Sequence, residues 1–276
     1  MSVLLFDSGV GGLSILRELR LVIPGERIIY VGDDAGFPYG NWEEESLTER
    51  IIGIFDNLMD RFQPDIAIIA CNTASTLIMP ALRDRFRIPF VGTVPAIKPA
   101  AERTVSGLVT LLGTPGTINR EYTKKLINQF ASTIDVKLVG AQGLAKVAED
   151  YLLRQKYDES RLLNELHPCF VTLCNRRTDI VILGCTHYPF LANQMRKLAP
   201  WPVDWIDPAE AIAIRTRGLL QQMSNNLPEK SLSLSIEDLA VVTSSEPTTA
   251  AVNLMHSFGL RTVAMPELLV PVSIQV

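Results

Sequence analysis

No uninterrupted apolar run in this 276-residue chain approaches the roughly 18 residues that a membrane-spanning helix requires, so no membrane partner is expected. Basic residues are nowhere clustered. Twenty-six lysines and arginines are spread among 30 acidic residues, for a net charge of −4, and no run suits a phosphate backbone, so no nucleic-acid partner is expected either. Cysteine is scarce: four residues without regular spacing make no disulfide framework and read as thiols in a reducing compartment. The opening MSVLLFDSGVGG lacks a basic n-region and meets Asp7, so no secretory signal is expected and the cytoplasm is the expected location. Low-complexity sequence is lacking, and so are the GxGxxG and Walker lysine motifs.

What the chain does have is 47% hydrophobic and 20% charged residues, the composition of a compact fold, arranged as short apolar runs alternating with amphipathic ones. Strands are expected at 2–6, 27–31, 65–70, 89–93, 107–113, 136–140, 179–184, 203–206 and 239–244. Between most of them lie helical patterns such as 11–22, where Leu13, Leu16 and Leu19, with Ile15 and Val22, favour one apolar face, and 43–62. Strands separated by helices imply right-handed crossovers, and continuously apolar strands imply sheets covered on both faces. The expected fold class is α/β, with two similar domains of mainly parallel sheet flanked by helices. The first domain would comprise residues 1–95 and 209–276, the second 96–208, with the active site in the cleft between them. Residues 224–235 read as a loop, and the C-terminal MPELLVPVSIQV as a divergent last strand or an oligomer contact.

Distinctive polar residues follow the strands, where ligands bind in such sheets. Asp7 and Ser8 follow the first, Cys71, Asn72 and Thr73 the third, Thr114 the run TLLG, and Cys185, Thr186 and His187 the run DIVILG. IIACNTAS (68–75) and VILGCTHYP (181–189) thus end two apolar strands in the same way, on a cysteine. Two thiols on opposite walls of one cleft can invert a carbon centre: one thiolate removes a proton while the opposing thiol donates one to the other face. The resting enzyme then holds one thiolate and one thiol. Asp7 is placed to assist Cys71, and His187 to assist Cys185; Asp7 also suits a helix N-cap. The glycines of DSGVGG (7–12) suit an acidic ligand, carboxylate as well as phosphate, at a helix start. Cys169 and Cys174 read as packing residues. With His167 they suggest zinc, but no second ligand pair is present, so no metal is expected. His256 reads as surface or packing, and Glu149, from the residues alone, as a solvated helix carboxylate.

With DSGVGG, FPYG, CNTAS, LLGTPGTI and GCTHYP in that order, the chain resembles the cofactor-independent glutamate racemases of the aspartate/glutamate racemase superfamily, from about residue 3 to 222. The resemblance implies two pseudo-symmetric α/β domains around a small amino acid, no cofactor, and a role in supplying D-glutamate for bacterial peptidoglycan. Carried over by motif, Cys71 takes the α-proton from D-glutamate and Cys185 from L-glutamate. Asp7, His187 and, in KVAED, Glu149 assist them. Ser8, Tyr39, Gly40, Asn72, Thr73, Thr114, Thr117 and Thr186 hold the substrate, with Asp7 and His187 beside them. After PYG the sequence departs from the family pattern: NWEEES stands where a small hydroxyl residue is usual. The long segment 152–178 resembles the subgroup activated by a peptidoglycan precursor, and a homodimer is a further expectation. Three alternatives stay open: a racemase for aspartate or another small acid, a pyridoxal-phosphate enzyme, and a non-catalytic binder of acidic amino acids. No strand-end motif carries the lysine that pyridoxal phosphate needs.

Overall fold

The computed structural model describes residues 1–225 and 237–269. The chain begins with β1 (Ser2–Asp7), α1 (Leu13–Val22), β2 (Arg27–Gly32), α2 (Glu44–Phe62), β3 (Ile66–Ile69), α3 (Asn72–Arg85), β4 (Phe90–Gly92) and α4 (Ile97–Arg103). It continues through β5 (Leu108–Gly113), α5 (Pro115–Ile118), α6 (Glu121–Phe130), β6 (Asp135–Gly140), α7 (Leu144–Arg154) and α8 (Glu159–Leu166). Next come the hairpin β7 (Thr172–Leu173) and β8 (Arg176–Arg177), then β9 (Ile180–Gly184), α9 (Ala192–Leu198) and β10 (Asp204–Ile206). The described part closes with α10 (Ala209–Ser224), β11 (Leu239–Val242), α11 (Thr249–Ser257) and β12 (Arg261–Ala264).

Two parallel sheets result, in the orders β12-β11-β2-β1-β3-β4 and β10-β9-β5-β6. Numbered from the start of each sheet, β1 to β4 lie as second, first, third, fourth, and so do β5, β6, β9 and β10. In both, the chain leaves the first strand for one neighbour and returns to pair the third on its other side, opening a crevice beyond the carboxyl ends of those two strands. Cys71 comes two residues after the third strand of one sheet and Cys185 directly after the third strand of the other, so the repeated strand ending in the sequence is a repeated topological position.

Both faces of each sheet are buried, and side chains alternate between them. Val3, Leu5, Tyr30, Ile66 and Ile68 share a core with Leu13, Leu16 and Leu19 of α1, while Leu4, Phe6, Val31, Ala67, Ile69 and Cys71 share the opposite core with α2 and α3. The second sheet does the same, with Val181, Leu183 and Cys185 on one side and Ile180 and Ile182 on the other. Each fully buried aliphatic side chain contributes about 1.5–3 kcal/mol of transfer free energy, so both sheets are rigid mounts for the residues at their strand ends. Ile212, Ala213 and Leu220 of α10 pack in the core of α1, so the chain rejoins the first sheet after β10.

All nine expected strands are present within a residue or two at each end. The edge strand β12 has only partly buried or exposed residues and no clear alternation, which is why its pattern was not legible. The hairpin β7–β8 falls in the long segment 152–178, for which no strand was expected. It turns on Cys174 and Asn175, both at positive φ (48° and 66°), as a two-residue primed turn requires. Of the C-terminal MPELLVPVSIQV, expected as a last strand or an oligomer contact, the described Pro266–Leu269 form a 3₁₀ turn, begun by a proline that has no N–H for a ladder. Residues 226–235 of the expected loop and 270–276 of the C-terminus lie outside the described residues. No described helix is long and apolar enough to cross a membrane.

Candidate active site

Cys71 is the residue before α3 and is 6% exposed. Its thiol is pushed up to about 12, chiefly by burial, with the charges of Asp7 and Cys185 adding to the effect and the Ala74 N–H and Ser8 hydroxyl opposing it. The two thiols therefore lie within electrostatic reach of one another, across the two sheets. Strand alternation explains which partner each receives. Ser8 continues the face of Leu4 and Phe6, on which Cys71 also stands, whereas Asp7 continues the face of Val3 and Leu5. Ser8 therefore shares a face with Cys71, and its hydroxyl favours the thiolate there, against the charge of Asp7.

Asp7 spends its hydrogen-bonding capacity elsewhere. Its carboxylate accepts from the Gly12 N–H (3.0 Å), the Gly9 N–H (3.4 Å) and the Thr186 hydroxyl (3.2 Å), so it braces the loop that leads into α1 and ties it to the second domain, while the N-cap itself is Gly12. Burial raises its pKa; His187, the Gly12 amide and Thr186 counteract this, while Glu149 adds to it. Ser14 donates to the Thr186 carbonyl (3.0 Å), a second tie across the same junction.

Cys185 begins the turn after β9. His187 Nδ1 lies 3.9 Å from its sulfur, and Nε2 lies 2.6 Å from Glu149 Oε2 on α7. All three side chains are buried, forming a Glu–His–Cys relay. Burial disfavours the imidazolium, but the hydrogen bonds and charges of Cys185 and Glu149 outweigh it and raise the His187 pKa well above its usual value. This imidazole stands beside Cys185 rather than Cys71.

Substrate-side hydroxyls meet where the domains touch. Thr73 lies 2.8 Å from Thr114 and 3.2 Å from Thr117, and Thr114 lies 3.1 Å from Thr117, so one residue of the first domain and two of the second form a closed hydroxyl triangle. Gly40 presses on it: a Cβ there would come within 3.0 Å of Thr114 Cβ. Tyr39 is buried, but its hydroxyl points away to Asp33. Asn72 is 2% exposed, and neither of its amide atoms has a hydrogen-bond partner in the structure; a polar ligand would satisfy them. Asn72, Cys185, Thr186, Ser14 and Asp207 line a small cavity. After PYG, Asn41 is exposed, and the distinctive contact there is an ion pair between Glu44 and Arg120 across the cleft.

The structure thus brings all the expected site residues to the domain junction. It places three others there. Phe37 sets its ring 5.2 Å from that of His187, Tyr30 donates to the Gly9 carbonyl (2.7 Å), and Asp33 receives Tyr39. FPYG could have flagged Phe37, but Tyr30 looks in sequence like any strand aromatic. Cys169 is fully buried and Cys174 exposed in its hairpin turn, and no cluster of metal-ligating side chains occurs among the described residues. A cavity of about 840 Å³ runs along α2 past Arg50, Asp56, Arg85 and Leu268, and neither thiol lines it.

The glycines after Asp7 are explained by close approach. A Cβ on Gly11 would overlap His187 Nδ1 and sit 2.5 Å from Thr186 Oγ1. Gly11→Ala is therefore expected to displace His187 and lower kcat/KM by on the order of 10²-fold. Gly53→Ala, where a Cβ meets nothing within 4 Å on α2, should leave activity intact and raise the melting temperature slightly. Wild-type activity in Gly11→Ala would refute this packing.

The family profile described as Asp/Glu/Hydantoin racemase matches residues 14–216. The glutamate racemases of Brucella canis and Brucella anthropi are each 55% identical to the chain, over 94% of it and 92% of their own length. Among solved structures, Escherichia coli glutamate racemase in complex with L-glutamate and activator UDP-MurNAc-Ala superimposes with a TM-score of 0.86. It is 37% identical, with 95% of this chain and 97% of that one covered.

Proposed function

From the premise that the chain belongs to the Asp/Glu/hydantoin racemase family, and within it stands with the glutamate racemases, we propose that Cys71 and Cys185 interconvert L- and D-glutamate by two-thiol acid–base catalysis without a cofactor. The observation that carries this reading is the equivalence of the two cysteines. Each ends the third strand of a sheet with the same strand order, and both lie at one junction with distinct polar partners. The units 1–95 with 209–276, and 96–208, would act as the two walls.

In the resting enzyme, Cys71 holds its proton, because burial keeps its thiol up at about 12. The base that acts on L-glutamate is Cys185, whose sulfur lies 3.9 Å from His187 Nδ1. L-Glutamate loses its α-proton to the Cys185 sulfur, and the Cys71 S–H gives its proton to the opposite face. This leaves D-glutamate, a thiol at Cys185 and a thiolate at Cys71. The reverse reaction exchanges these roles. Ser8 and the Ala74 N–H then support the Cys71 thiolate. Asp7 holds Thr186 and the α1 loop in place. Asn72, Thr73, Thr114, Thr117, Thr186 and the Gly40 turn receive the substrate's charged groups. The hydroxyl triangle and the unpaired Asn72 amide are the groups free to exchange partners for a dicarboxylate. The reaction supplies D-glutamate for peptidoglycan in the cytoplasm, under activation by a precursor of the UDP-MurNAc-Ala type; a homodimer is the assembly we favour.

Proton NMR in D2O tests the reading. With no cofactor added, the α-proton signal of both glutamate enantiomers should vanish, and the rate should rise when UDP-MurNAc-Ala is present. Aspartate should exchange far more slowly. No exchange of either glutamate enantiomer, with or without the precursor, would exclude the racemase reading and favour a binding protein.

A further inference from the structure

Asp33 is a fully buried carboxylate with no part in the proton transfers above. It comes directly after β2, and its N–H donates to the Asp7 carbonyl (2.9 Å), which places it one strand away from the catalytic loop. Four hydrogen bonds converge on its two oxygens. Oδ2 accepts from the Tyr39 hydroxyl (2.5 Å) and Arg50 Nε (2.6 Å), and Oδ1 from Arg50 Nη2 (2.6 Å) and the Thr243 hydroxyl (2.6 Å). These donors come from the 3₁₀ turn after Pro38, from α2 and from the residue after β11. One carboxylate thus joins three segments that are remote in sequence.

The segment held in this way is 36–42. Gly36 has no room for a side chain, since a Cβ would fall 2.6 Å from Asp33 Oδ2. Arg50 also lies over the Trp42 ring at 5.3 Å, and Trp42 Nε1 donates back to the Gly36 carbonyl (2.8 Å), closing the turn on itself. Next door, Asp34 accepts from the Thr243 and Ser244 amides (3.0 and 2.9 Å), and the Thr243 hydroxyl accepts from the Ala35 N–H (3.2 Å), so β11 is bound to the turn from both sides. The turn faces the second domain at two points: Phe37 packs against His187, and Gly40 packs against Thr114. It therefore spans from the proton-transfer relay to the hydroxyl triangle. Buried charge-assisted hydrogen bonds are the strongest anchors available for such a span.

We propose that Asp33 is a positioning residue for racemisation: with Arg50 and Thr243 it fixes the 36–42 turn at the distance from Thr114 and His187 that glutamate capture requires. The proposal rests on the racemase reading of the same site. It gives the C-terminal part of the chain a task at that site, since Thr243 is the anchor farthest from it in sequence. Support comes from Arg50, whose pKa its hydrogen bond to Asp33 raises, and from Tyr39, which burial and then the charge of Asp33 keep protonated well above its usual value.

The test is steady-state kinetics on both enantiomers with thermal melting alongside. Asp33→Asn should raise KM about tenfold or more, since it weakens several hydrogen bonds to a charged group, with kcat falling less. Because Asp33→Asn leaves the Arg50 charge without its partner and invites misfolding, Thr243→Val and Thr243→Ser provide the second arm. Thr243→Val should raise KM several-fold for both D- and L-glutamate, and Thr243→Ser, which keeps the hydroxyl, should restore it. A wild-type KM in Thr243→Val, or a serine variant as impaired as the valine one, would overturn the positioning role whatever happens to the melting temperature. Failure of the wild-type protein to racemise glutamate would instead sink the functional reading, so the two are separable.

Discussion

Replacing Cys71 or Cys185 by serine is expected to lower racemisation by about 10³-fold, because a hydroxyl in the same place is neither a usable base nor a matched acid near neutral pH. Since the enantiomers are equal in free energy, kcat/KM must fall equally in both directions in either variant. The direction-specific roles appear in another measurement. With only Cys71 left, residual exchange of the α-proton into D2O should be confined to D-glutamate; with only Cys185 left, to L-glutamate. Serine is smaller than cysteine by little and both sites are buried, so the fold and glutamate affinity should be retained, as calorimetry would report. Undiminished racemisation in Cys71→Ser, or exchange of both enantiomers by a single-thiol variant, would refute the two-thiol assignment.

Glu149→Gln is expected to cost about 10²-fold in kcat/KM at pH 8, and to move the alkaline limb of the pH profile to lower pH. Burial alone favours neutral His187; its pKa is held up by Cys185 and Glu149 together, and glutamine removes one of those charges. The imidazolium beside Cys185 is then lost at a lower pH than in the wild type. Stability changes with the same sign. A histidine whose folded pKa lies above its unfolded value stabilises the fold fully below about pH 6.5, and this contribution disappears as pH rises through the raised pKa. The melting-temperature deficit of Glu149→Gln should therefore be largest in mildly acidic buffer and shrink as pH rises through that range. An unchanged alkaline limb would mean that Glu149 does not act through His187.

Much of this was legible one strand at a time. The runs ending at Cys71 and Cys185 are apolar throughout because helices cover both sheet faces, and that local requirement appears in composition. The chemistry-bearing residues were legible for a related reason: in parallel sheets they fall just past the carboxyl ends, so each sits in sequence immediately after a recognisable run. β12 escaped because an edge strand has only a half-buried pattern to show. Asp7 and Cys71 were legible as neighbours from adjacent strand ends; what only the fold shows is that alternation puts Ser8 on the face of Cys71 and sends the hydrogen bonds of Asp7 to Gly12 and Thr186.

Period and burial, which the order of residues encodes within each short segment, determined the α/β class, the strand positions and the candidate thiols. Partnership was decided only by tertiary structure. Glu149 meets His187 because α7 packs beside the turn after β9; Thr73 meets Thr114 because the elements that follow the two sheets abut; Asp33 gathers Tyr39, Arg50 and Thr243 across a span no local pattern marks. A hydrogen bond depends on distances of a few tenths of an ångström between groups far apart in sequence, and those distances exist only once both sheets have packed.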